Sequence, residues 1–212
     1  NVSDFNRFHR CYFNGNTVGL YLENQSDNTV ISECSFEPRQ TGAGASANQD
    51  GCEIHNSYGV TVTGCHFNYF GKAASNSLFG ALKLSGNFSG HNVVGNYFEA
   101  CYPQALYLLP SVTPPQVNSG GVIVQGNSFS FTGMSNMIGI KVGVNGGTAV
   151  FGGVVIQGNG FYNLATGNTA ISYADQVKNF FEGPNFFDNV VAGAGTDRVI
   201  QRGAQGFVMG AS

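Results

Sequence analysis

Val122-Ile123-Val124-Gln125-Gly126-Asn127-Ser128-Phe129 returns almost unchanged as Val154-Val155-Ile156-Gln157-Gly158-Asn159-Gly160-Phe161. In each copy an alternating aliphatic run ends in a small residue, then Asn, any residue and Phe. Related endings, with Asn or Cys in the polar place, occur at Cys34-Ser35-Phe36, Cys65-His66-Phe67 and Asn96-Tyr97-Phe98. The five phenylalanines fall 31, 31, 31 and 32 residues apart. That regularity marks one supersecondary unit repeated along an axis. A partial unit ends in Cys11-Tyr12-Phe13, so the chain holds about seven units.

The runs before each ending, among them Val60-Thr61-Val62-Thr63, alternate with period two and are β-branched, which makes them strands. A second strand recurs once per unit: Gly19-Leu20-Tyr21-Leu22, Gly51-Cys52-Glu53-Ile54, Ala81-Leu82-Lys83-Leu84, Ala105-Leu106-Tyr107-Leu108, Gly139-Ile140-Lys141-Val142 and Ala170-Ile171-Ser172-Tyr173. Two short strands per period describe a coil of sheet. Extra residues between Pro110 and Gly121, and between Gly143 and Gly153, read as loops inserted on one side of a solenoid. No helical periodicity of useful length occurs, and Pro103, Pro110, Pro114 and Pro115 fall in these predicted loops.

Composition sets the remaining bounds. Only 10% of residues are charged, yet 42% are hydrophobic, so the low charge does not mean disorder. A net charge of −3 without a Lys/Arg run offers no footprint for nucleic acid. No stretch approaches the roughly 18 apolar residues of a membrane helix. The opening Asn1-Val2-Ser3-Asp4 has neither an initiating Met nor a signal peptide, and predicts a piece of something longer. Five cysteines lack metal-ligand spacing, so buried reduced thiols are expected, with no metal and no cofactor.

Stacking coils about 4.8 Å apart turns equivalent residues into columns. The phenylalanines then form an interior stack of rings, and Asn96, Asn127 and Asn159 an amide ladder, with cysteines continuing that column in the earlier coils. Gly183-Pro184-Asn185-Phe186-Phe187 keeps Asn and Phe, but Glu182 stands where an inward aliphatic belongs. Residues 1–212 therefore read as a single domain with regular coils over about 5–187 and an irregular capping or terminal segment over 188–212.

From Phe5 to Phe187 the pattern of small residue, aliphatic, any residue, aliphatic, polar turn, alternating strand and Gly-Asn-x-Phe resembles the right-handed parallel β-helix proteins. These form the pectate-lyase-like superfold, which includes bacteriophage tailspikes and many polysaccharide-processing enzymes. The resemblance implies an all-β, right-handed, single-stranded parallel β-helix solenoid of about seven coils. It implies a polysaccharide as partner, a homotrimer, and an extracellular or virion (tail) location. The repeated residues are structural ones, so the activity must be argued from elsewhere.

Alternation supplies that place. In the second strand positions two and four point inward, so positions three and five point out. Position three reads Tyr21, Glu53, Lys83, Tyr107, Lys141, Ser172; position five reads Glu23, His55, Ser85, Leu109, Gly143, Ala174. In so uncharged a chain, Glu23, Glu53, His55 and Lys83 share one corner of a face. Glu23 and Glu53, one coil and two residues apart, have Cα atoms about 8 Å apart. Carboxyl separations of roughly 6.5–9.5 Å suit inverting glycoside hydrolysis. Glu53, Glu23 and Asp50 are the candidate catalytic carboxylates; Tyr21, His55, Lys83, Tyr107 and Lys141 are the candidate substrate contacts. Lys83 beside Glu53 favours its ionised form. Paired charges on a solvated sheet are the competing reading of the same corner.

Glu37 and Glu99 each follow a terminal Phe, two coils or about 9.6 Å apart with Asn68 between them, and read as turn solvation. The stripe His9, Ser32, Thr63, Val94, Gln125, Gln157 is small and uncharged. Scattered arginines and the lack of three carboxylates in one column disfavour a calcium-dependent lyase. Tyr21, Tyr58, Tyr69, Tyr102 and Tyr107 are the available aromatic platforms, since the chain has no Trp. Two functions stand: binding and hydrolysis of a cell-surface polysaccharide, or a non-catalytic shaft or adhesin segment of a trimeric fibre.

Overall fold

In the computed structural model the described residues are 5–15, 18–24, 27–37, 50–69, 79–111, 120–144, 151–174, 177–188, 196–200 and 204–209. They form a right-handed parallel β-helix of three sheets. The first sheet has eight strands, among them Val30–Ser32, Thr61–Thr63, Asn92–Val94, Gly120–Gln125 and Phe151–Gln157. The second has seven, including Ser35–Glu37, His66–Asn68, Tyr97–Glu99 and Ser128–Ser130. The third has seven, including Val18–Glu23, Asp50–His55, Leu82–Gly86, Gln104–Pro110, Ile138–Val142 and Thr169–Tyr173. Each coil thus carries three strands, which corrects the expectation of two. The Asn/Cys-x-Phe ending is itself a strand, with one inward residue, the Phe, too short to show alternation.

A corner in the left-handed backbone region separates the first and second sheets. Its residues are Arg10, Glu33, Gly64, Gly95, Gly126 and Gly158, with φ of 55°, 52°, 62°, 66°, 64° and 63°. Four coils use Gly, which adopts this conformation without a Cβ penalty. The other two use Arg10 and Glu33, whose exposed side chains pair at 2.7 Å.

Inside, Phe13, Phe36, Phe67, Phe98, Phe129, Phe161 and Phe187 stack in one column, neighbouring centroids 4.7 to 5.2 Å apart. The amide ladder forms as expected. Asn127 Oδ1 accepts from Asn96 N at 2.9 Å and Nδ2 at 3.0 Å, while Asn159 Oδ1 serves Asn127 in the same way. Each amide also donates back to a carbonyl 34 or 35 residues earlier, as from Asn127 Nδ2 to Val93 O at 2.9 Å. Cys65 Sγ reaches the equivalent Ile31 carbonyl at 3.6 Å, so the thiol takes over the donor role with a weaker group. All five cysteines are free, and four are buried.

Pairing continues beyond Phe187, because Thr196–Ile200 and Gln205–Val208 extend the third and first sheets. Glu182 lies in register with Ile156, and Arg198 with Ile171, so two inward aliphatic positions become an ion pair. Arg198 Nη2 lies 2.5 Å from Glu182 Oε1, and Tyr173 Oη donates to Glu182 Oε2 at 3.0 Å. Their mutual neutralisation makes a fully buried glutamate tolerable. The longer connections, residues 38–49, 70–78, 112–119 and 145–150, enter or leave the third sheet and lie outside the described residues. The insertions predicted from Pro110 to Gly121 and from Gly143 to Gly153 fall largely there.

Candidate functional site

The outward face of the third sheet carries the charge. Its strands hold their register through Leu20, Cys52, Leu82, Leu106 and Ile140 on the inner side, all packed in the core. On the outer side Tyr21, Glu53, Lys83, Tyr107, Lys141 and Ser172 follow one another coil by coil. Beside them run Glu23, His55, Ser85 and Leu109. Both columns match the alternation read from the sequence. Glu23 lies diagonal to Glu53, one coil and two residues away.

Lys83 is the hub. Its ammonium lies 3.0 Å from Glu53 Oε1 and 3.3 Å from Asp50 Oδ2. Asp50 is buried, and its other oxygen accepts from Gly80 N at 2.8 Å. Burial raises the Asp50 pKa, against the opposing pull of Lys83 and of the Gly80 amide. Ser85 Oγ donates to Glu53 Oε1 at 2.8 Å and lies 2.8 Å from His55 Nδ1. Since that hydroxyl proton is committed to Glu53, His55 contributes the Nδ1 proton. The result is a directed chain from His55 through Ser85 to Glu53, with Lys83 on the same oxygen. Glu53 Oε2 has no hydrogen-bond partner among the described residues.

Ser85 belonged to the outward column, but its part as a bridge could not be foreseen from spacing alone. Nor could the corner that closes the site. Asn56 Nδ2 donates to Asn24 Oδ1 at 3.2 Å, and Asn56 Oδ1 accepts from Asn87 N at 2.8 Å. Gly86 (φ 76°) is needed there, because a Cβ would run into Asn56 Oδ1 and sit 2.9 Å from His55 Cε1.

Tyr21 is 48% exposed, and its pKa is raised by burial of its buried portion and by the charges of Glu23 and Glu53. Tyr107 differs from expectation. It points outward yet is fully buried, so it is no open sugar platform. Gly80 packs on its Cβ side, and the Lys141 ammonium lies 4.8 Å from its ring centroid. Burial pushes the Tyr107 phenol up to about 12 and the Lys141 ammonium down.

Glu37 and Glu99 are not brought together. Tyr12 Oη donates to Glu37 at 2.6 Å, and Glu99 faces His66 at 3.6 Å. The stripe from His9 to Gln157 is one continuous register column. Among the described residues no group of three or more His, Cys, Asp or Glu is placed to hold a metal ion.

Comparison with known proteins places the fold. No protein-family model matches the chain, and none of the curated proteins matches it significantly. Among solved structures it is similar to a tailspike protein mutant of E. coli bacteriophage HK620 in complex with a pentasaccharide. The TM-score is 0.60 at 17% identity, over 95% of this chain and 43% of that one. A double mutant of the same tailspike gives 0.58 at 15%, and the tailspike in complex with pentasaccharide gives 0.55 at 17%, with the same coverage. The chain therefore spans less than half the length of those tailspikes, and the likeness is one of fold.

Proposed function

We propose that the outward face of the third sheet around Glu53 binds a cell-surface polysaccharide and hydrolyses it. The observation that carries this reading is the linked set Asp50, Lys83, Glu53, Ser85 and His55, gathered from two neighbouring coils of a chain otherwise poor in charge. A solvated surface does not require a buried aspartate to hold a lysine in place.

In this reading Glu53 is the base. Lys83 and Ser85 both engage its carboxylate through Oε1, which leaves Oε2 to activate water. Glu23, diagonal to it across one coil, stands at a spacing suited to protonating a leaving oxygen in inverting hydrolysis. Asp50 is a positioning residue: both its oxygens are engaged and it is shielded from substrate, so it acts through Lys83. Tyr21 and His55 border the same corner and supply a ring and, at His55 Nε2, an acceptor for sugar contacts. Assembly as a homotrimer on a virion tail, outside the cell, belongs to the same proposal and is supported by the tailspike likeness of the fold.

A non-catalytic shaft is the second reading, favoured by the continuous Phe column and by the Asn ladder of the later coils, which stiffen the solenoid. The two are separated by measuring oligosaccharide release from a panel of O-antigen and capsular polysaccharides. Hydrolysis predicts release by the wild type and a fall of at least a hundredfold in Glu53→Gln and Glu23→Gln. Undiminished release by Glu53→Gln removes Glu53 from catalysis, and no release from any polysaccharide leaves the shaft.

A further inference from the structure

We propose that this face takes an acidic polysaccharide, with the carboxylate of one sugar seated against Lys141; the inference rests on reading the face as a polysaccharide site. From residue 100 to residue 174 the chain contains no Asp or Glu, and Lys141 is the only Lys or Arg in that stretch. This cation sits on the outward column between Tyr107 and Ser172.

The contrast with Lys83 is direct. Lys83 lies between two carboxylates, whereas Lys141 has no carboxylate partner among the described residues. Its ammonium stands over the Tyr107 ring, partly withdrawn from water. A cation so placed is poorly compensated, and an incoming anion supplies what the fold does not. The Tyr107 hydroxyl, buried and without a hydrogen-bond partner among the described residues, lies on the same column and offers the ammonium no compensating charge.

The column also gives the polymer a direction. Glu53 and Lys141 are three coil steps apart, roughly 14 Å at 4.8 Å per step. The carboxylates of Glu23 and Glu53, with Lys83 shared between Glu53 and Asp50, leave the hydrolytic end net negative and unfavourable to an acidic sugar, and Lys141 draws it to the other. The reacting bond then lies beside Glu53 while an acidic residue of the same polymer sits two to three coils away.

The test uses acidic capsular polysaccharides, each paired with its carboxyl-reduced counterpart, together with neutral O-antigens, and measures binding to the whole protein by calorimetry. Acidic members are expected to bind at least tenfold more tightly than their reduced counterparts, and to weaken as salt is raised. Lys141→Met abolishes that preference and Lys141→Arg retains it, with circular dichroism confirming that both fold. Equal binding of native and reduced pairs, binding of neutral polymers alone, or a preference that survives Lys141→Met overturns the acidic assignment and leaves the polysaccharide site standing. Binding of no polymer overturns both.

Discussion

Lys83 Nζ stands 3.0 Å from Glu53 Oε1 across one coil, on the strand that also faces Asp50. The ammonium thereby compensates two carboxylates, one of them almost wholly out of water. Removing one partner from such a group leaves the others uncompensated, which costs more than the pair itself contributes.

Lys83→Met is therefore expected to destabilise the protein by about 3 kcal/mol at pH 7 in urea unfolding. Asp50 has a raised folded pKa, so its ionisation opposes folding as pH rises above the ordinary carboxylate range. Without Lys83 that opposition grows. Lowering the pH to 5 should restore part of the loss in the variant, and a deficit independent of pH would contradict the role given to Asp50.

The amide ladder makes a second prediction. Asn127→Ala strips the acceptor from Asn96 N and Nδ2 and the donor from Val93 O, all in the interior. A loss of about 3 kcal/mol is expected. Cys65→Asn, placed in the same column, supplies an amide oxygen where the thiol offers only a weak acceptor, and should be neutral or stabilising by up to about 1 kcal/mol. Thermal unfolding of both variants checks the pair, and a destabilised Cys65→Asn would show that the column is not interchangeable.

His91 predicts an acid sensitivity. It is buried, its Nδ1 accepts from Val60 N at 2.9 Å, and burial lowers its pKa to about 4. The folded state resists protonation, while the unfolded histidine takes a proton near 6.5. Stability from this group is therefore full above pH 6.5 and declines as the pH falls toward 4, by about 3 kcal/mol in all. His91→Asn should flatten that part of the pH profile, and a variant with the wild-type slope would move the acid sensitivity to other groups.

At the far end, Arg198→Leu leaves Glu182 buried without its cation and should cost about 3 to 5 kcal/mol. The double variant Glu182→Leu with Arg198→Leu restores the aliphatic pattern of the preceding coils. It is expected within about 1 kcal/mol of the wild type, or above it. Denaturant midpoints of the three proteins decide, and a double variant no more stable than Arg198→Leu would contradict the coupling.

Much of this fold was legible because a solenoid writes the same constraints once per coil. Phe36, Phe67, Phe98, Phe129 and Phe161 recur because the stack needs a ring at each level, and Gly64, Gly95, Gly126 and Gly158 because the corner needs a positive φ. The second-sheet strands escaped notice because three residues with one inward side chain carry no visible period. Arg10 and Glu33 concealed the corner that the glycines announce.

By itself the sequence determined the repeat, the inward columns and the order of residues along the outer face. Parallel in-register pairing converts spacing in the chain directly into position on the sheet. Only the tertiary structure decided which outward residues meet solvent and which meet one another. Tyr107 and Asp50 point away from the core yet are buried, and Ser85 joins His55 to Glu53. Burial and bridging depend on side chains arriving from neighbouring coils and connections, which alternation along one strand does not encode. The Asn/Cys-x-Phe endings hold the solenoid together, and the proposed site lies on the outer face of a different sheet.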